Sequence, residues 1–374
     1  MQEQVHDVRL SRRQMLSLSS VGTVTALLAA CGATHETSAP QTVNVGASKA
    51  DGRILFAKAH SINNGGNDDG IYLVENAGKS RKIIGKAGDD YALQYPRWSP
   101  DGTRIAFARA GDGGNYSDLW IANSDGTNPR RLTDFKSKIA HANNVNLQGQ
   151  YIHDSGVVVG VAWSQKDFLT FASDKGNRSD PANNRIPRPW VVEDPNDPAT
   201  VRFIPATQAV DDVDNTALSA DGNAMAFSSL WQAADTGVKG TQIFLLDFTT
   251  KKTTQLTSLA LGAYDPAFSP DGQYITFTGR PEKNLGDLYL MTRDGNNQVQ
   301  ITNTGAARAP VWSPDGKRLA FLAAFEGAQF NIYVMDVSLP APGTPLTAAN
   351  FSKPEKLTDE TGIDARSGLS WTAS

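Results

Sequence analysis

The chain of 374 residues has a single cysteine, Cys31. That count excludes an intramolecular disulfide and a zinc site built from several thiolates. Histidine is nearly as scarce, with five in all. Beyond the N-terminal segment only His35, His60, His141 and His153 remain, too thinly spread for a metal site of several imidazoles. No excess of positive charge occurs either: 35 Lys and Arg stand against 39 Asp and Glu, a formal net charge of −4. No basic run gathers them, so nucleic acid is not expected as a partner. The sequence contains no Gly-x-Ser-x-Gly, which removes the nucleophile elbow of hydrolase chemistry. The apolar stretch Met15–Ala30 is broken by Ser, Thr and Gly and is short for a bilayer span.

What is present near the N-terminus has the form of an address. "SRRQML" (Ser11–Leu16) resembles a twin-arginine export motif through Arg12 and Arg13, with Met15 where Phe is usual and Ser17 where Lys is frequent. "LAAC" (Leu28–Cys31) resembles a lipobox, whose cysteine is acylated and becomes the first residue after cleavage. Residues 1–30 therefore read as a signal peptide with a basic flank and a small-residue end. Residues 31–49 are polar and rich in Ser and Thr, which reads as the lipidated Cys31 followed by a flexible tether. The expectation is a membrane-anchored protein of the cell envelope, facing periplasm or exterior.

Past residue 50 one hexapeptide returns: "RWSPDG" (97–102), "AFSPDG" (267–272) and "VWSPDG" (311–316), with weaker copies "AWSQKD" (162–167) and "ALSADG" (217–222). A recurrence at such intervals marks a repeat architecture. Each copy is followed by a short apolar strand such as "RIAFARA" (104–110). A second strand such as "DLWIANSDG" comes next, and a third ending in "LT" or similar. Pro sets φ for the first corner of the turn, Asp bonds back to the backbone, and Gly takes the left-handed conformation. Trp98, Phe268 and Trp312 fall on the strand ahead of the turn and are expected to pack between sheets. An incomplete set at 50–85 lacks its first strand, and "SGLSWTAS" (367–374) is a first strand with nothing after it. Joined, they complete a sixth unit, and such joining removes free sheet edges. The fold predicted for residues 50–374 is all-β: a six-bladed β-propeller of four-stranded antiparallel blades, closed by N- and C-terminal strands sharing one blade.

"PRWSPDGTRIAFAR", "PAFSPDGQYITFTG" and "PVWSPDGKRLAFLA" resemble the repeats of the TolB family's propeller over nearly the whole segment from residue 50. The resemblance implies that fold. It is less specific for function, because the same repeat serves envelope binding proteins, peptidases and carbohydrate-active proteins. TolB itself has an α/β domain ahead of its propeller, where only the tether is read here.

Propeller sites sit where loops enter the innermost strands. Residues at those places are Gln94 and Tyr95, Val159 and Gly160, Asp214 and Asn215, Tyr264 and Asp265, Ala307 and Arg308, and Asp364 with Arg366. Tyr95, Asp214, Asp265, Arg308 and Arg366 are the candidate binding residues of the mouth. Two loops, 136–156 and 173–190, exceed what hairpins need, and the second carries Arg178, Arg185 and Arg188 near Trp190, a candidate patch for an acidic partner. The leading expectation is a non-catalytic, monomeric scaffold that binds an envelope protein or polymer. The alternative is an enzyme acting on a sugar or other small substrate, with Asp214 and Asp265 as acid and base. No cofactor or metal is required. Calcium at an Asp cluster is the weaker option, and "NNGGNDDGIYLVE" (63–75) reads as a hairpin loop because Gly65 stands where a calcium loop needs Asp.

Overall fold

The Ser-Pro-Asp-Gly turn is a closed hydrogen-bond unit in the computed structural model of the chain. Ser99 Oγ donates to Asp101 Oδ1 at 2.6 Å and accepts from the Arg104 amide at 2.9 Å, while the Gly102 amide closes on the Ser99 carbonyl at 2.9 Å. Gly102 has φ of 66°, the left-handed conformation that reverses the chain into the next strand. The same serine-to-aspartate bond forms at Ser219–Asp221, Ser269–Asp271 and Ser313–Asp315. In the degenerate copy Asp167 takes the glycine's place at φ 59°. Asp is among the few L-residues that adopt this conformation without much cost.

The structure describes residues 52–58, 69–75, 78–85, 91–111, 116–135, 156–174, 187–204, 213–230, 240–281, 284–327, 329–340 and 345–373. All of them belong to one compact unit of the chain, 45–178 with 185–374. Arg12, Arg13, Cys31, Arg178 and Arg185 lie outside the described residues, as do the tether and most of both long loops.

These turns link strands into six antiparallel four-stranded sheets. The first blade joins β1 (Arg53–Lys58), β2 (Gly70–Glu75) and β3 (Lys79–Ile84) to β24 (Ser370–Thr372). The second runs β4 (Ala92–Trp98), β5 (Arg104–Gly111), β6 (Tyr116–Asn123), β7 (Arg130–Arg131). The third runs β8 (Val159–Trp163), β9 (Leu169–Ser173), β10 (Arg188–Val192), β11 (Val201–Phe203). The fourth comprises β12 (Val213–Leu218), β13 (Ala224–Ser229), β14 (Gln242–Asp247) and β15 (Thr253–Gln255). The fifth comprises β16 (Ala263–Phe268), β17 (Tyr274–Gly279), β18 (Asp287–Thr292) and β19 (Val299–Gln300). The sixth comprises β20 (Ala307–Trp312), β21 (Arg318–Ala323), β22 (Asn331–Asp336) and β23 (Glu355–Lys356). The innermost strands pack in the order β4, β8, β12, β16, β20, β24 and back to β4, which makes the assembly a six-bladed propeller. Ring closure occurs as the sequence predicts, with Arg53, Ile54 and Leu55 pairing with Thr372, Trp371 and Ser370.

One aromatic pair repeats in every blade. Phe56, Phe107, Phe171, Phe227, Phe277 and Phe321 occupy one register position of the second strand, and each is buried. Directly across on the third strand stand Tyr72, Trp120, Trp190, Phe244, Tyr289 and Tyr333. Five of these pairs stack, with ring centroids between 5.4 and 6.3 Å apart. Burial of two rings per blade gives each thin sheet its core. Trp190 is therefore a strand residue stacked on Phe171 and edged by Phe135 at 5.8 Å, not part of the loop to which the sequence reading assigned it.

The recurrent "LT" has a structural cause. Thr133 Oγ1 donates to Asp118 at 3.0 Å and accepts from the Leu119 amide at 2.9 Å, fastening the chain that leaves the fourth strand to the head of the third. The pairs Thr302–Asp287, Thr257–Gln242 and Thr358–Asn331 do the same. Neighbouring blades are clasped by an arginine at the head of one second strand over the tryptophan of the next blade's innermost strand. Arg53 covers Trp98 at 4.6 Å, Arg104 covers Trp163 at 5.1 Å, and Arg318 covers Trp371 at 5.6 Å. Arg104 adds two bonds of 2.8 Å to Asp167.

Candidate binding site at the channel mouth

Every intact innermost strand breaks register near its start, between Gln94 and Arg97, Val159 and Ala162, Val213 and Thr216, Tyr264 and Ala267, and Arg308 and Val311. At the break Tyr95, Gly160, Asp265 and Ala309 have φ of 53°, 58°, 51° and 53°, and Gly368 before β24 has φ of 66°. These are β-bulges, and Pro96, Pro266 and Pro310 follow directly because an unpaired bulge position does not require an amide donor. The bulges re-aim the side chains of neighbouring residues, and polar groups beside them bond from one blade to the next.

Asp265 is the centre of that set. Its carboxylate accepts from Asn215 Nδ2 at 2.5 Å, Thr278 Oγ1 at 2.9 Å and Arg308 Nη2 at 3.1 and 3.3 Å. Thr278 Oγ1 in turn accepts from the Ala309 amide at 3.0 Å. The network joins the fourth, fifth and sixth blades. Burial works against the charge on Arg308, but Asp265, by charge and hydrogen bond together, and then Asp364 and Asp214 hold its pKa above the ordinary arginine value. Across the ring Asp364 accepts from Ser367 Oγ at 2.6 Å and Gln94 Nε2 at 3.3 Å, which ties the closing segment to the second blade.

The other predicted residues fall as follows. Tyr95 is buried in the left-handed conformation, unusual for a bulky side chain. Asp214 is half-buried on β12, and Arg366 is exposed, its amide bound to Asp364 Oδ1 at 3.1 Å. Asp214, Asp265, Arg308 and Asp364 thus act on a common space, whereas Arg188 and Trp190 belong to β10. Among the described residues no three His, Cys, Asp or Glu side chains gather as ligands for a cation. Of the calcium-like stretch, residues 70–75 form β2 and 63–68 lie outside the described residues.

Arg97 escaped the sequence reading, which stopped at the residues ahead of each innermost strand. Its Nη1 donates to the carbonyls of Pro96 at 2.8 Å and of Ser367, on the neighbouring blade, at 3.1 Å. Burial pulls its pKa down to about 10, against weaker upward pulls from Tyr95 and Asp265. A comparison of the repeats position by position would have found it.

No family model matches the chain. A TolB homolog of Chlorobaculum tepidum is 30% identical over 92 residues, 24% of this chain and 20% of that protein. Dipeptidyl-peptidase 5 of Porphyromonas endodontalis is 26% identical over 256 residues, covering 59% of this chain and 35% of that protein. The matches thus span a fifth to about a third of these relatives. The crystal structure of TolB from Acinetobacter baumannii superposes with a TM-score of 0.59 at 17% identity, over 86% of this chain and 66% of that one. At such identity the likeness shows the fold.

Proposed function

We propose that this TolB-like six-bladed propeller is a non-catalytic binding scaffold of the cell envelope, exported by the Arg12–Arg13 signal and held on a membrane through an acylated Cys31. The observation that carries the reading is the saturation of the mouth. Asp265, the most enclosed carboxylate of the candidate acid/base pair, already accepts from Asn215, Thr278 and Arg308. A general acid or base needs a lone pair or proton free for substrate and a pKa near working pH. Asp265 instead fixes three blades, and a rigid ring with polar loops at its rim is what recognition of a large partner uses. The likeness to TolB favours an envelope protein or polymer as that partner, with Arg178 and Arg185 contributing to its recognition. The peptidase relative does not bring its activity here, since the match covers 35% of it.

Three measurements test the reading. With Cys31→Ser, which removes the acylated thiol, the protein is expected to move from the membrane to the soluble fraction of native cells. Retention in the membrane would remove the anchor. Cross-linking followed by purification from detergent-solubilised envelopes is expected to yield one discrete partner, lost when residues 175–186 are replaced by a short Gly-Ser linker. Turnover of a glycan or peptide panel that is abolished by Asp265→Asn would reverse the assignment in favour of an enzyme.

A further inference from the structure

The repeat supplies its own control. The residue two before the serine of each turn is Ala162, Ala217, Ala267 and Val311 in four blades and Arg97 in the second, while in the first blade Ser370 holds the corresponding place two before Thr372. Left-handed bulge positions are held by Gly160, Asp265, Ala309 and Gly368, and in the second blade by Tyr95. Two departures from the pattern therefore fall on one strand, two residues apart. A bulky side chain in the left-handed region is strained and persists mainly where something else requires it.

Arg97 is set apart from the other charged groups of the mouth. Arg308 has Asp265 at 3.1 Å, but Arg97 has no carboxylate within ion-pair distance among the described residues. Only its Nη1 is engaged, by two carbonyls that fix the plane of the guanidinium. Nε and Nη2, the edge that takes a carboxylate in two parallel bonds, make no hydrogen bond among the described residues. The guanidinium rests against Gly368, where an added Cβ would meet Nη2 at 3.4 Å. It also feels Asp265, which belongs to the blade opposite in the ring. Arg97 lies on β4, the innermost strand of its blade, and is half-buried, so its charge is withdrawn from bulk water without being sealed off.

We infer that the channel mouth holds an oxyanion site, in which the Nε–Nη2 edge of Arg97 pairs with a carboxylate or phosphate group of the ligand, beside Tyr95. The inference rests on the binding-scaffold reading and names the chemistry its partner would present. A guanidinium partly withdrawn from water and lacking a counter-charge gains most from an anion that brings one.

The test uses the purified propeller and calorimetric titration with glutarate, inorganic phosphate and uncharged glutaramide at fixed ionic strength. Glutarate or phosphate is expected to saturate a single site and glutaramide not to bind. Preference for one anion identifies the source of the oxyanion. Affinity should fall at least tenfold in Arg97→Gln and stay within twofold in Arg81→Ala, an exposed arginine of β3 outside the mouth. Phenylglyoxal labelling read by peptide mass needs no variant: the anion should protect Arg97 in the wild-type protein and leave Arg81 reactive. Equal anion affinity in Arg97→Gln, absence of saturation by both anions, or unprotected Arg97 would each overturn the site. An envelope partner captured equally by wild type and Arg97→Gln would leave the scaffold standing and remove the anion site. Anion binding lost in Arg97→Gln without any partner captured would do the reverse.

Discussion

Asp265 and Arg308 are worth more as a pair than either could be alone. Both are buried enough that losing one leaves the other charged and desolvated, and Arg308 Nε has no hydrogen-bond partner among the described residues. Asp265→Ala is expected to destabilise the protein by about 3 kcal/mol or more, read as a lower urea midpoint. The double variant Asp265→Asn with Arg308→Met should recover much of that loss, because no unpaired charge remains. An unchanged midpoint in the single variant would show the mouth to be solvated rather than locked. At the turns, hydrogen bonds from Ser99 and then the Thr103 amide lower the pKa of Asp101 from 3.8 to about 2. Since the folded value lies below the unfolded one, this group adds stability above pH 4 and the contribution disappears as pH falls toward 2. Asp101→Asn should therefore lower the urea midpoint by a constant amount above pH 4, and the difference from wild type should shrink as pH falls toward 2.

At the scale of the strand, the aromatic pair decides. Phe227 is buried and stacks on Phe244 with centroids 5.7 Å apart. Phe227→Ala should cost about 3–5 kcal/mol in chemical denaturation, whereas Leu285→Ser, at an exposed position, should stay within about 0.5 kcal/mol. Near-equal effects would mean that the blade core lies elsewhere. The strands and turns were legible because their chemistry is local: alternation and Pro-Asp-Gly can each be read within ten residues. "LT" was visible as punctuation, but its role was not, because Thr133 meets Asp118 only after two strands have paired. Trp190 was misread for a related reason. Its arginine-rich neighbourhood looks like a loop until the pairing with Phe171 places it in a sheet. The bulges had a local sign, the prolines at 96, 266 and 310, and without them the direction of Asp265 and Arg97 could not be inferred. The identity of the mouth residues was accessible to sequence, while their pairing depends on blades far apart in the chain.

At the scale of the molecule, the ring depends on three residues. β24 contributes the innermost strand of the first blade, and its loss would remove several contacts at once. The Trp98 amide donates to Ser370 Oγ at 3.0 Å, Arg318 lies over Trp371 at 5.6 Å, and Ile54 pairs with Trp371. Without β24 the edge of β1 would be open and its neighbours on both sides unclasped. An unpaired strand edge beside exposed apolar surface is a template for association. A chain ending at Ser367 is therefore expected to elute as aggregate in size-exclusion chromatography and to lose near-ultraviolet circular dichroism from its tryptophans. A synthetic peptide of residues 366–374 added during refolding should restore the monomer by adding the missing strand in trans. A truncated chain that stays monomeric with wild-type dichroism would mean that five complete blades hold the ring unaided, and the shared blade would then be a consequence of the fold rather than its lock.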